Sequence, residues 1–179
     1  MKKNNDKLKL FLVRKYREKY PTTQGRETND ALICHIMGKD ALPVTRDSGG
    51  KPAVNIENIF ISVSHSEDTF ALLVADINVG IDIQYRRKVV RDRIADRYFT
   101  DSEKAFVREK GEDGFFTLWT MKEAFAKYTG TGMKQILDRT EVIGRNDAEF
   151  REIKLEDNLF CSICCEAGKG GEIEVNILD

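Results

Sequence analysis

The chain has 179 residues, of which 41% are hydrophobic and 33% are charged, and its formal net charge is -1. These values are typical of a soluble globular protein with one domain or two small lobes that share a core. The balanced charge argues against a protein that mainly coats nucleic acid or an anionic membrane. No apolar run is long enough to span a bilayer, and the N-terminal residues do not resemble a signal peptide, so we expect a cytoplasmic protein.

The first part of the chain predicts a short basic element, a helix and a loop. Residues 7–20 form the basic element, which is either a strand or a helix. Apolar residues at helical spacing predict a helix over 26–39, with Arg26 at its start. The turn-rich stretch 45–54 then predicts an exposed loop that presents Lys51.

The middle of the chain predicts three strands. They cover residues 59–64, 69–75 and 79–85, and the link 65–68 joins the first two as a hairpin. In the third strand Gly80, Asp82 and Gln84 alternate with apolar residues, so these three share one face. An acid between two isoleucines in a strand is unusual and indicates a specific role.

A basic segment and two helical stretches follow. Residues 86–97 predict an amphipathic basic segment, and a helix begins at Thr100 or Asp101 and runs to about Lys110. The stretch 111–114, with its two glycines, breaks the pattern before the next helix.

The C-terminal part predicts strands. We expect them at 140–144, 149–155 and 159–166, with an edge strand over 172–178. Three cysteines cluster at 161, 164 and 165, but no second CxxC or CxxH pair completes a four-ligand zinc site. The alternation in this stretch suits a strand, and the four cysteines of the chain fit a reducing compartment better than a disulfide framework.

The helix that starts at Phe115 has a broad apolar face with charges in and beside it. Lys122 falls within the apolar face, where a charge is costly unless a partner neutralises it. Glu123 and Lys127 lie beside that face, one turn apart. From this segment alone, a core helix with a snorkelling lysine and an exposed Glu–Lys pair is as good an interpretation as a functional site.

Two acids and several cations nevertheless match the needs of phosphate chemistry. Asp82 and Glu123, one on a strand and one on a helix, are ligands that Mg²⁺ accepts when substrate phosphates and water complete its shell. The groups available for phosphate contacts are Arg26, Lys51, Ser64, His65, Lys122 and Lys127. The sequence contains no P-loop, no GxGxxG pattern and no nucleophile-elbow motif around Ser64.

The order and spacing of this set resemble the 4'-phosphopantetheinyl transferases, and most closely the longer, surfactin-synthetase-activating type. The matching pieces are Gly50-Lys51-Pro52, Val63-Ser64-His65-Ser66, Gly80-Ile81-Asp82-Ile83, Phe99 with Glu103, and the WTMKEAFAK stretch 119–127. The resemblance covers about residues 26–133, and its specific part is WxxKEAxxK placed some forty residues after GIDI.

The resemblance implies an α+β fold with two pseudo-symmetric lobes, here 1–78 and 79–179, and an active site in the cleft between them. The implied reaction moves 4'-phosphopantetheine from coenzyme A to a serine of an apo acyl or peptidyl carrier protein and releases 3',5'-ADP. Asp82 and Glu123 would bind Mg²⁺ or Mn²⁺, and Glu123 or a water it holds would accept the serine proton. Lys127 would lie at the transferring phosphate.

The remaining cations and polar groups would hold coenzyme A. This set comprises Lys51, Ser64, His65 and Lys122, with Arg26 as a further member. Because one chain supplies both lobes, we expect a monomer.

One position departs from the family pattern. Surfactin-type members often have a third acid two residues after the aspartate, where this chain has Gln84. Gln84 shares a face with Asp82 and can approach the ion, but it adds no charge. Two alternatives therefore stay open: a coenzyme A or carrier-protein binding module without turnover, and another Mg²⁺-dependent phosphoryl enzyme. Finally, the basic segment 86–97 is a candidate docking surface for an acidic carrier protein.

Overall fold

The structure, a computed structural model, describes residues 7–19, 26–38 and 42–178. In chain order the elements are β1 (Lys7–Arg14), α1 (Tyr16–Lys19), α2 (Arg26–Ile36), β2 (Val44–Arg46), β3 (Pro52–Val54), β4 (Phe60–Ser66), β5 (Thr69–Ala75), β6 (Val79–Tyr85), α3 (Arg91–Tyr98), α4 (Asp101–Thr129), α5 (Met133–Leu137), β7 (Ala148–Glu152), β8 (Leu159–Glu166) and β9 (Glu172–Leu178). The protein is a mixed α+β structure, as predicted.

Two sheets form the centre of the molecule. One has four strands in the order β4-β5-β1-β9, and the other has three in the order β6-β8-β7. Strand β9 pairs in parallel with β1, so the last strand of the chain belongs to the sheet built by the first residues. Strands β2 and β3 pair with each other in a third, two-stranded sheet.

Apolar residues fill three layers of core around these sheets. Alternate residues of β6, among them Ile81 and Ile83, pack with Leu10 and Leu12 of β1 between the two sheets. A second cluster lies between the three-stranded sheet and α4, and a third lies between the four-stranded sheet and α2. Asp82 is therefore on the face of β6 that looks toward α4, as the alternation predicted.

Helix α4 begins and ends as its sequence specifies. Thr100 is the N-cap and forms a capping box with Glu103, and Gly130 ends the helix in the left-handed conformation. The predicted break also exists, because Gly111 has φ 67° and interrupts the helical geometry. The helix resumes at once and continues to Thr129, so the break is a kink rather than a loop over 111–114.

Four predictions need correction or refinement. The stretch 45–54 is not a loop throughout, because β2 and β3 form at its two ends and leave only 47–51 as the turn that carries Lys51. The stretch 140–144 is not a strand: it is a loop that α4 holds through the Val142 N–H and the Thr140 carbonyl. In the basic segment 86–97 only the part from Arg91 onward is helical. Of the two possibilities for the first element, the strand β1 is the one that forms, followed by the single turn α1. The predicted last residues of the first element and of the helix after it, 20 and 39, lie outside the described residues.

Within the part of the chain that the structure describes, none of the helices has the length and apolar character needed to cross a bilayer.

Gly80 sets the distance between β6 and α4. A Cβ atom at position 80 would lie 2.0 Å from the carbonyl oxygen of Ala124 and 2.6 Å from the amide nitrogen of Tyr128. Such distances are far shorter than van der Waals contact, so any larger residue would force the helix away from the strand. The absence of a side chain at Gly80 is what lets the strand that carries Asp82 meet the helix that carries Glu123.

We predict that Gly80→Ala destabilises the protein by about 3 kcal/mol or more, because the new methyl group overlaps backbone atoms that cannot rotate away. Urea unfolding followed by circular dichroism measures the loss. Gly168→Asn is the matched control, since Gly168 has φ 78°, a conformation that Asn tolerates, and no described atom lies within 4 Å of where its Cβ would be. Equal unfolding midpoints for the two variants would contradict the role of Gly80.

Candidate functional site

The carboxylate of Asp82 is the centre of a buried charged network. Asp82 is 7% exposed, and its Oδ1 accepts hydrogen bonds from Ser64 Oγ and from Lys127 Nζ, each at 2.7 Å. Lys127 Nζ also donates to the carbonyl oxygen of Ile81 at 2.9 Å. Strand β6, strand β4 and helix α4 thus each contribute one group to the same network.

Glu123 lies one helical turn before Lys127 on α4 and completes a pair of acids. Its pKa is raised, first by burial and then by the negative charge of Asp82, while Lys127 opposes the shift. The charge of Asp82 opposes the ionisation of Glu123, and a cation bound between the two carboxylates would remove this repulsion. Hard carboxylate oxygens are the donors that Mg²⁺ prefers, so the donor set fits this ion.

Those acids are not supported by a third metal-binding side chain. Within the ranges 7–19, 26–38 and 42–178, no group of three or more His, Cys, Asp or Glu residues is arranged to hold a metal ion. A cation at Asp82 and Glu123 would therefore need oxygen atoms from water or from a ligand.

The clustered cysteines 161, 164 and 165 are buried, and burial raises the pKa of the Cys161 and Cys164 thiols.

A cavity of about 250 Å³ opens beside this network. Its lining includes Gly49, Lys51, Pro52, Glu123, Lys127 and Gly130. The loop before β3 and the second half of α4 therefore form its walls. The cavity has cationic side chains on two sides and one carboxylate, which suits a phosphorylated ligand accompanied by a cation.

The side chain of Lys51 is fixed at the wall of this cavity by Asn78 and Val79, at the start of β6. Its Nζ donates to Asn78 Oδ1 at 2.8 Å and to the Val79 carbonyl at 2.7 Å. Burial lowers the pKa of Lys51 to about 8. The ammonium group has three donors, so one more remains for a ligand among the contacts that the structure describes.

The loop itself is held against the end of α4. Asp47 Oδ1 accepts from the N–H groups of Gly49 and Lys51, at 2.9 and 2.8 Å. A Cβ atom at position 49 would lie 2.3 Å from the Gly130 carbonyl oxygen. Close backbone packing between Gly49 and Gly130 therefore positions Lys51 relative to Glu123 and Lys127.

Ser64 and His65 point to opposite faces of β4. Ser64 is buried and engaged with Asp82, whereas His65 is exposed and lies 6.5 Å, ring to ring, from Tyr16. Partial desolvation of the ring by neighbouring groups, and then the charge of Lys127, lower the pKa of His65, so the neutral imidazole is favoured.

Lys122 is buried in the core away from the cavity. It is 2% exposed, and its Nζ donates to both oxygens of Glu103, at 2.9 and 2.7 Å, and to the Thr140 carbonyl at 2.7 Å. All three of its donors are used. This geometry does not support the predicted contact between Lys122 and a nucleotide.

Glu103 is the residue whose role the sequence left undefined. It is fully buried, and it accepts from Lys122, from the Thr100 N–H and from the Val142 N–H. Its place in a capping box was a visible signal, but the partner nineteen residues later was not.

Two further predicted site residues, Gln84 and Arg26, are not part of the hydrogen-bonded network around Asp82 in the described part of the chain. Gln84 shares the face of Asp82, and its Nε2 donates to Ser66 Oγ at 3.1 Å and to the Tyr85 carbonyl at 3.0 Å. Arg26 is the first residue of α2 and is exposed. It is not among the residues that line the cavity beside Lys51, within the part of the chain that the structure describes.

A larger cavity of about 400 Å³ lies between α4 and β8. Asp113, Glu152 and Phe160 are among its lining residues. It contains none of the predicted site residues. The smaller cavity is the candidate site, because it alone of these two combines an acid of the network with the lysines.

The fold and the site define an α+β protein in which two carboxylates and a lysine meet where a strand contacts a helix, a donor set suited to phosphoryl transfer. The chain belongs to the 4'-phosphopantetheinyl transferase superfamily, whose family model matches residues 78–176, more than half of the chain.

Several proteins of similar sequence are named 4'-phosphopantetheinyl transferases. The chain is 38% identical over 115 residues to the 4'-phosphopantetheinyl transferase psf-1 of Bacillus pumilus, in an alignment that covers 58% of this chain and 49% of that protein. It is 34% identical over 88 residues to the transferase gsp of Aneurinibacillus migulanus, covering 47% and 36%. It is 27% identical over 171 residues to Sfp of Bacillus subtilis, covering 86% and 75%. The chain thus spans half or less of the first two relatives and three quarters of the third.

We predict that Lys122→Met lowers the free energy of unfolding by about 3–5 kcal/mol, because it leaves the Glu103 carboxylate buried without its counter-ion. Lys127→Met should cost under about 2 kcal/mol, because Asp82 keeps the Ser64 hydrogen bond and lies beside the cavity. Urea denaturation of the two variants makes the comparison. Equal losses would show that the two lysines do not differ as their burial indicates.

Proposed function

We propose that this protein transfers 4'-phosphopantetheine from coenzyme A to a serine hydroxyl of an apo acyl or peptidyl carrier protein, releasing 3',5'-ADP. The observation that carries the proposal is the meeting of Asp82, Glu123 and Lys127 beside the cavity that Lys51 lines. Membership of the superfamily supports the reaction class. The bond that forms joins the serine Oγ to the phosphorus atom of the arm, and the bond that breaks is the one to 3',5'-ADP.

Coenzyme A would bind in the cavity through its phosphates. Lys51 supplies a positive charge at one wall, and Lys127 supplies another opposite it. His65 and Arg26 remain candidates for its outer parts, since both are exposed. The buried Lys122 is left out of the proposed ligand contacts.

Asp82 and Glu123 would hold Mg²⁺ or Mn²⁺, with Gln84 or a water as a neutral neighbour. When bound, the cation would neutralise charge on the transferring phosphate. Lys127 already neutralises Asp82, and the same ammonium group can reach a phosphate placed in the cavity. Phosphoryl transfer depends mainly on this kind of positioning and charge stabilisation.

Glu123, or a water that it orients, would take the proton from the carrier serine. Its raised pKa makes it a stronger base than an ordinary carboxylate. Glu123 also lines the cavity, which a group that accepts a proton from an incoming serine must do.

The arrangement in two pseudo-symmetric lobes, 1–78 and 79–179, with the site in the cleft between them, is part of this proposal, as is action as a monomer. The two sheets would be the central elements of those lobes, with β9 of the second part of the chain pairing in the sheet of the first. A cytoplasmic location is supported by four cysteines that are all free thiols.

The carrier would dock on the basic segment 86–97. Arg86 is already engaged with Glu112 and Asp113, at 2.8 and 2.5 Å, so it helps to anchor the segment to α4. Arg87, Lys88 and Arg93 are exposed and available to an acidic partner. Complementary charge of this kind mainly sets the association rate.

The reaction is tested by measuring the intact mass of several apo carrier proteins after incubation with this protein, coenzyme A and Mg²⁺. We expect a gain of one phosphopantetheine arm, lost with EDTA and reduced by at least about 100-fold in Glu123→Gln, which removes the base. Glu152→Gln, on β7 and away from the cavity, is a matched control that should keep the gain.

Measurements of 3',5'-ADP release and of coenzyme A binding, made beside the carrier mass, separate the alternatives. Release of 3',5'-ADP without any carrier would indicate a hydrolase. Binding of coenzyme A without a gain in carrier mass would indicate a binding module. Absence of both would contradict the proposed function.

Lys51 gives the binding step a distinct pH dependence. The protonated form binds phosphate, and this form predominates below pH 8 in the free protein and is lost above it. We predict that the Kd for 3',5'-ADP, measured by calorimetry between pH 7 and 9.5, rises by up to about tenfold per pH unit above that point. In Lys51→Arg, whose charge persists throughout, the rise should be absent. Identical profiles for the two proteins would exclude Lys51 as the titrating group.

A further inference from the structure

Three serines of β4 cap one edge of β6. Ser62 Oγ accepts from the Ile81 N–H at 3.0 Å, and Ser64 Oγ accepts from the Ile83 N–H at 3.2 Å. Ser66 Oγ repeats the pattern with the Tyr85 N–H at 2.9 Å. All three serines are at most 6% exposed. The spacing of two residues on each strand makes the two rows of groups match.

These serine contacts satisfy the N–H groups on the edge of β6 that no described strand pairs with. Among the residues that the structure describes, strand β6 is at the edge of the three-stranded sheet and pairs only with β8 there. Its other edge is buried against the four-stranded sheet, where unpaired N–H groups would be costly. Serine hydroxyls accept these hydrogen bonds in place of a neighbouring strand, so β4 and β6 are joined by side chains rather than by a ladder.

Ser64 differs from Ser62 and Ser66 because its hydroxyl also donates a hydrogen bond to Asp82. Its single O–H donates to Asp82 Oδ1 at 2.7 Å while its oxygen receives the Ile83 N–H. A hydroxyl has one proton, so Ser64 cannot donate to a phosphate unless it gives up Asp82. The buried position of Ser64 also favours the contact with the carboxylate over one with a ligand.

From this geometry we infer that Ser64 is a positioning residue: it orients Asp82 toward Glu123 and Lys127, while Ser62 and Ser66 fix the strand on which Asp82 stands. Ser64 thereby acts on the proposed cation through Asp82 and does not itself bind coenzyme A. The inference about the cation rests on the proposed function, whereas the serine–strand connection does not.

The decisive comparison is between Ser64→Ala and Ser62→Ala. Each variant removes one hydroxyl that accepts an N–H of β6, but only the first removes a contact with Asp82. Ser64→Thr is the conservative variant, since it keeps the hydroxyl. Amide hydrogen exchange comes first, because it needs neither metal nor substrate. We expect faster exchange at Ile81 in Ser62→Ala and at Ile83 in Ser64→Ala.

Metal binding is the second measurement. Mn²⁺ binding to the complex with coenzyme A is followed by electron paramagnetic resonance without a carrier, so no turnover occurs. We expect Ser64→Ala to weaken Mn²⁺ binding by roughly 10–100-fold, as loss of a group that orients a metal ligand does. Ser62→Ala, which keeps the contact between Ser64 and Asp82 although Ser62 itself lines the cavity, should weaken Mn²⁺ binding clearly less than Ser64→Ala does. Ser64→Thr should restore most of the affinity. The affinity for coenzyme A at saturating Mn²⁺ should stay within about twofold in Ser64→Ala.

Each other outcome overturns the inference. Weaker coenzyme A binding with normal Mn²⁺ binding in Ser64→Ala would make Ser64 a ligand contact. Equal loss of Mn²⁺ binding in Ser62→Ala and Ser64→Ala would make the serines purely structural. If the alanine variants do not fold, fast exchange at Ile81, Ile83 and Tyr85 in the unmodified protein would still overturn it. If the unmodified protein binds neither Mn²⁺ nor coenzyme A, the proposed function fails, and the exchange data alone decide the serine–strand connection.

Discussion

The contact between the backbone of Gly80 and the backbone of α4 is the constraint on which the site depends. With no side chain at this position, the strand and the helix approach closely enough for Lys127 Nζ to reach both Asp82 Oδ1 and the Ile81 carbonyl. The dipeptide Gly80-Ile81 thus serves two purposes, since Ile81 fills the core between the sheets while its neighbour admits the helix. A wider spacing would separate Asp82 from Glu123 and Lys127, and the charged network would not form.

Two lysines five residues apart on one helix illustrate how burial decides function. Lys122 is enclosed with Glu103, and every donor of its ammonium group is engaged, so it links α4 to the loop 140–144. Lys127 has a side chain 27% exposed and borders the cavity. The first lysine holds the helix in place, and the second is available to a ligand. Both lysines carry the same charge, but only Lys127 borders a cavity in which a ligand could replace one of its present contacts.

Strand β6 holds Asp82 in a fixed position because both of its edges are hydrogen-bonded. Strand β8 pairs with one edge, and the serines of β4 take the N–H groups of the other. A fully satisfied strand is rigid, and rigidity is needed where a carboxylate is held close to a second one. The electrostatic cost of Asp82 beside Glu123 is met by Lys127 and by the Ser64 hydroxyl.

The sequence by itself determined most of the elements and the face of β6 on which Asp82 lies. Alternation placed Asp82 on one side of β6, a capping box began α4, and the WxxKEAxxK motif identified the family, because these signals lie within a few residues of one another. It could not separate Lys122 from Lys127, since the partner of Lys122 is set by packing of residues far apart in the chain. The sequence pattern also predicted a strand over 140–144. Packing against α4 makes this stretch a loop instead, with the Val142 N–H donating to Glu103. Only the tertiary structure decided that Ser64 turns inward to Asp82 while His65 faces outward, because that depends on where β6 lies against β4.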